Sequence, residues 1–209
     1  MPSARVPPVY RILLPALRAL AGFAVMGGCA TGGGAPSGSG PRGELTAVDY
    51  YPLAPGWKWA YDVEKDGLNI LATYAVLERS GDVAVVQAGD ERLTYAITPD
   101  GIAQKELDAV GDYIIKNPVH PGSEWPVTGG RAKIVSVDER ISLEPAGQFA
   151  NCLVVEVTRS DPMRVARTTY APGVGWVALE LQVQEGQRFV TTTRAHLRAV
   201  TKPGEDQFH

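Results

Sequence analysis

The sequence predicts an all-β protein: an antiparallel meander forming a curved sheet, an open barrel or a sandwich, after a signal peptide and a disordered tether. Three observations carry this. Beyond residue 44, short runs alternate apolar and polar residues with the period of two that a half-buried strand requires. Tight-turn signals separate the runs, among them Lys65-Asp66-Gly67, Ser80-Gly81-Asp82 and Pro99-Asp100-Gly101. No convincing amphipathic helical period follows residue 44.

The chain opens with Arg5, Arg11 and Arg18 and no acid before an apolar run at 19–26, then Gly27, Gly28 and Cys29. A basic start, a short apolar core and small residues at a cut make a signal peptide over 1–28. The core is far shorter than the roughly 20 apolar residues that span a bilayer. Residues 29–44 carry Gly, Ser and Pro with nothing to bury, which predicts a flexible tether. An all-β domain is expected over 45–201 and a tail over 202–209.

Within the domain, strands are expected over 57–64, 68–79, 83–88, 92–98, 134–143, 153–158, 164–170, 176–183 and 188–200. In the penultimate strand Val177, Leu179, Leu181 and Val183 share one face, with Ala178, Glu180 and Gln182 on the other. In the last, Phe189, Leu197 and Ala199 are placed opposite Arg194, His196 and Arg198. Cys152 reads as a small strand residue, since neither a His nor a helix start lies nearby to activate its thiol.

Pro-Gly followed closely by Trp occurs three times, ending on Trp59, Trp125 and Trp176. The first two copies extend to Pro-x-x-Pro-Gly-x-x-Trp, from Pro52 and Pro118. Pro-Gly suits a type II turn that delivers the ring to the core. The same pattern would also suit a duplicated unit, or an aromatic-lined mouth for a ligand.

Two resemblances follow from particular residues. Met26-Gly27-Gly28-Cys29 resembles the bacterial lipobox, with Met in place of the usual Leu; the alternative is ordinary cleavage after Ala30. The resemblance implies an acylated Cys29 and a mature chain held to the membrane by lipid, each buried methylene adding roughly 0.8 kcal/mol. Ala30, in place of the Asp that marks inner-membrane retention, implies the outer membrane. Cys152 would then have no disulfide partner. Residues 50–61, Tyr-Tyr-Pro-Leu-Ala-Pro-Gly-Trp-Lys-Trp-Ala-Tyr, resemble the Tyr-[Phe/Tyr]-Pro-Leu-x-x-Gly-x-x-Trp-x-Tyr opening of a family of uncharacterised bacterial envelope lipoproteins. Gly147 to Cys152 and the Tyr170-Ala171-Pro172-Gly173-Val174-Gly175 segment resemble the same family. That resemblance implies an envelope β-domain and transfers no catalytic residue.

Charge narrows the partners. Three of the 20 basic residues and none of the 23 acids precede Cys29, leaving 17 against 23 and a net charge of −6. A domain of that sign repels a phosphate backbone, which argues against nucleic acid. Residues 62–67 begin like a calcium loop, but the twelfth position is Thr73 rather than Glu, so a hairpin turn is expected. Gly173-Val174-Gly175-Trp176-Val177-Ala178 fits the dinucleotide fingerprint but opens a strand where a helix is needed. His120, His196 and His209 have no metal-ligand spacing, and neither a Gly-x-Ser-x-Gly elbow nor a His-Glu-x-x-His motif is present. No cofactor is expected. The reading is a membrane-tethered, non-enzymatic binding or scaffold domain that meets another envelope protein. A carrier of a lipid or other apolar ligand is the alternative, and an envelope hydrolase with a non-local site the third.

Overall fold

The computed structural model describes residues 44–106 and 109–205; Cys29 and nearly all of the expected tether lie outside them. A single helical turn, α1 (Ala47–Tyr50), leads into twelve strands. These are β1 (Lys58–Lys65), β2 (Leu68–Ser80), β3 (Val83–Ala88), β4 (Glu91–Thr98), β5 (Gly101–Glu106) and β6 (Ala109–Lys116) in the first half. The second half holds β7 (Glu124–Val127), β8 (Gly130–Leu143), β9 (Gly147–Ser160), β10 (Met163–Ala171), β11 (Gly175–Glu185) and β12 (Arg188–Thr201).

All twelve form one antiparallel sheet in the order β6-β5-β4-β3-β2-β1-β12-β11-β10-β9-β8-β7. The sheet curls into a nearly closed barrel with an open seam between β6 and β7, which selects the open barrel among the three expected forms. Side chains bridge the seam. The Trp125 indole on β7 donates to the backbone oxygen of Tyr113 on β6 at 2.9 Å. The Thr128 amide donates to the Asp112 carboxylate at 2.8 and 3.0 Å. The Arg159 guanidinium, on β9, lies 3.6 Å from Asp112 and also donates to the Thr128 carbonyl. Pro126 is tolerated in β7 because that strand is a sheet edge.

Alternation builds the core. On β1, Trp59, Tyr61 and Val63 are buried while Lys58 and Glu64 face water. The β1–β2 hairpin turns on Asp66 and Gly67, with φ of 51° and 78°, the paired positive values of a type I′ turn. Gly56, Gly122 and Gly173, each after a proline, have φ of 94°, 89° and 67°, as the third residue of a type II turn demands.

Two expectations are corrected, on the stretch between 98 and 134 and on the faces of β12. No helical period follows residue 44, and the single turn α1 is too short to carry one. It forms because Asp49 accepts from both the amide and hydroxyl of Thr46, each at 2.7 Å. Strands β5, β6 and β7 fill the stretch between 98 and 134 where none was expected. Phe189 and Ala199 do not share the buried face of Leu197: both are exposed, Phe189 at 47%. Bulges between Ala60 and Tyr61 and between Leu181 and Gln182 each skip a β12 residue, Arg198 and Thr192, and reverse the alternation on either side.

Candidate functional site

The barrel interior narrows to a cavity of about 70 Å³. Its walls are mostly carbon, from Val155 and Val157 of β9, Leu179 of β11 and Ile114 of β6. Five tyrosines line it: Tyr51, Tyr74, Tyr95 and Tyr170 form an aromatic side, and Tyr113 of β6 joins the wall with its hydroxyl 3.2 Å from Thr98 Oγ1. Tyr51 follows α1 directly, and its ring lies 5.8 Å from Tyr95 and 6.1 Å from Tyr170, so the helical turn closes this end of the barrel. The turn is itself fixed by the Asn117 side chain, which accepts from the Ala47 amide at 2.9 Å, and by the Gly173 amide, which donates to the Asp49 carbonyl at 2.7 Å.

Burial above all raises the phenol pKa of Tyr51, Tyr74 and Tyr170, and pushes Tyr95 up to about 12 against a hydrogen bond with Tyr51. The aromatic side is therefore neutral at any physiological pH. The polar members of the wall are Gln104, Thr168, Asp112 and Arg159. Asp112 is engaged by Thr128 and Arg159 across the seam. Gln104 is 4% exposed and its Oε1 has no hydrogen-bond partner among the described residues.

The three sequence-marked tryptophans are not brought together in one site. Trp59, Trp125 and Trp176 are 2%, 3% and 6% exposed. Trp176 alone of the three lines the cavity, stacked on Tyr61 with ring centroids 3.5 Å apart. Trp59 donates to the Val174 carbonyl at 2.7 Å and packs beside Trp57. Trp125 belongs to the seam. Cys29 lies outside the described residues. Cys152 is buried on β9, where burial pushes its thiol up to about 11, a value unsuited to nucleophilic work at neutral pH.

Sequence reasoning marked Trp176 and Leu179 but missed the polar residues of the cavity wall. Gln104 stands out only once β5 is recognised, because alternation then places it on the buried face of Ile102. Asp112 and Arg159 are 47 residues apart and meet only through closure. Outside the cavity, Ser123 Oγ lies 2.9 Å from His120 Nδ1 in the exposed turn before β7, and Ser123 also donates to the Pro118 carbonyl at 3.1 Å. Among the described residues no group of His, Cys, Asp and Glu is placed to hold a metal ion, and no helix is long and apolar enough to cross a membrane.

No family model matches the chain. No curated protein matches it either. Among solved structures, it is similar to an exported protein with a YmcC-like fold from Bacteroides fragilis, at 15% identity and a TM-score of 0.47, over 73% of this chain and 99% of that one. It is similar also to a lipoprotein from Parabacteroides distasonis, at 15% identity and a TM-score of 0.41, over 73% of this chain and 98% of that one.

Proposed function

We propose that this chain is an envelope lipoprotein, anchored to the outer membrane through acylated Cys29, whose barrel binds or scaffolds another envelope component without catalysing a reaction. The anchor rests on the basic start, the apolar run at 19–26 and the small residues before Cys29. The non-catalytic reading rests on one observation, the composition of the cavity wall. General acid–base chemistry needs a titratable group free to exchange a proton near neutral pH. Here burial holds the phenols of Tyr51, Tyr74, Tyr95 and Tyr170 protonated, and the one carboxylate, Asp112, is tied to Thr128 and Arg159.

The carrier reading also has an observation in its favour. By pairing, Val190 lies opposite Val183, on the face that continues from buried Leu181, and it is exposed. Leu68, exposed opposite Lys65, continues the face of Val63 and Ile70. An apolar lip thus stands at the β1–β2 and β11–β12 hairpins. The cavity is smaller than the 300–1,000 Å³ usual for drug-sized ligands, so it would enclose only the end of a chain.

Mass spectrometry of the membrane-extracted protein tests the anchor. Acyl mass is expected on an N-terminal Cys29 peptide, and Cys29→Ala is expected to move the protein from the membrane to the soluble fraction. An unmodified terminus at Thr31 would overturn the reading.

A further inference from the structure

The Oε1 of Gln104, in the cavity wall, has no hydrogen-bond partner among the described residues. More than nine in ten buried polar groups in proteins are paired, so an orphaned acceptor in a mostly carbon wall calls for a reason. The backbone fixes it there. Gln104 pairs with Tyr95 across the β4–β5 ladder and follows Ile102 on the buried face, so the amide cannot turn to water without a register slip.

The surrounding polar groups do not serve it. Tyr51 and Tyr95 pack edge to face with ring centroids 5.8 Å apart. Asp112 and Arg159 are committed across the seam. What the wall offers a ligand is therefore the Gln104 amide, with Oε1 as its buried unmatched acceptor, surrounded by carbon. An anion would face the lone pairs of Oε1. A cation would lose its water with no free counter-charge, since Asp112 is occupied. A ligand amide would bring two polar atoms into a cavity whose one buried unmatched atom is Oε1. A hydroxyl meets the requirement with a single atom. At roughly 10–15 Å³ for each water-sized site, about 70 Å³ accommodates about five to seven heavy atoms.

We propose that this cavity binds the hydroxyl-bearing end of a neutral aliphatic chain, the hydroxyl donating to Gln104 Oε1 and the carbons lying against Val155, Val157 and Leu179. The site rests on the reading of the barrel as a binding module, and it stands or falls separately from the lipid anchor at Cys29.

The test uses the full chain carrying Cys29→Ala, so that no attached acyl group competes. It is titrated with 1-pentanol and, separately, with its isomer butyl methyl ether, which has the same atoms and can accept but not donate. The Gln104 side-chain amide resonances and tryptophan emission report binding, since Trp176 lines the cavity. Pentanol is expected to bind at least about tenfold more tightly than the ether, the effect of leaving a buried acceptor unmatched. In Gln104→Leu the preference is expected to vanish. If that variant does not fold, the isomer pair on the native residue still decides. Equal affinity for the two isomers overturns the proposal. So does the lack of a saturable shift with either, which would mean that the cavity takes water only. Neither result bears on the acyl mass at Cys29, which tests the anchor alone.

Discussion

Trp59, Trp125 and Trp176 each stand behind a glycine in the left-handed region, and each ring is buried. Replacing any one by Ala is expected to cost roughly 3–5 kcal/mol in chemical denaturation, the range for a buried aromatic. Three variants within about 1 kcal/mol of the parent would show that these rings carry little of the core. The tryptophans were legible in the sequence because a repeated Pro-Gly turn is a local signal. Gln104 was not, because an amide in a strand has no meaning until the opposite wall is known. Tyr51, Tyr95 and Tyr170 come from α1's exit, β4 and β10 and meet only in the closed barrel. Nothing in their local sequence marks them as a set.

At the scale of the element, alternation and turn residues made nine of the strands readable, and the 83–88 expectation coincides with β3. The gaps have physical causes. Strand β5 carries Gln104 where alternation calls for an apolar residue, β6 is interrupted by Gly111, and β7 is four residues long with a proline inside. Bulges are invisible to a strict period of two, which is why Phe189 was misplaced. Two glycines separate the roles that glycine plays here. Gly67 has a φ of 78° and open space around an added Cβ, so Gly67→Ala should cost about 1 kcal/mol from backbone strain alone. At Gly130 a Cβ would run into the Thr158 carbonyl of the neighbouring strand, so the β8–β9 ladder must part. Thermal melting should show Gly130→Ala several degrees below Gly67→Ala. Equal melting temperatures would mean that the two strands are not in this close contact.

At the scale of the whole molecule, the two extended Pro-x-x-Pro-Gly-x-x-Trp segments precede β1 and β7, the first strand of each six-stranded half. The interior that these halves enclose predicts alkaline unfolding. In the unfolded chain the Cys152 thiol and the phenols ionise near their ordinary values of 9.0 and 10.0. In the fold they are raised, Cys152 to about 11 and Tyr95 to about 12, with Tyr51, Tyr61, Tyr74 and Tyr170 also pushed upward. Their contribution to stability is therefore complete below about pH 9 and is lost as pH rises through 11 to 12. Urea midpoints should fall over that window, and tyrosinate absorbance of the buried set should rise together with the loss of strand structure. Full ionisation of every tyrosine near pH 10 in a protein that keeps its strands would contradict the burial described here. The pairing of β1 with β12 has a mechanical consequence. Lys58, at the start of one strand, lies beside Thr201, at the end of the other, so β1 begins and β12 finishes on the same side of the barrel. A force drawing these two residues apart would load the ladder one hydrogen bond at a time, as a zipper opens. A force entering instead through the far hairpin of β12 and leaving at Lys58 would run along the strands and load many bonds together.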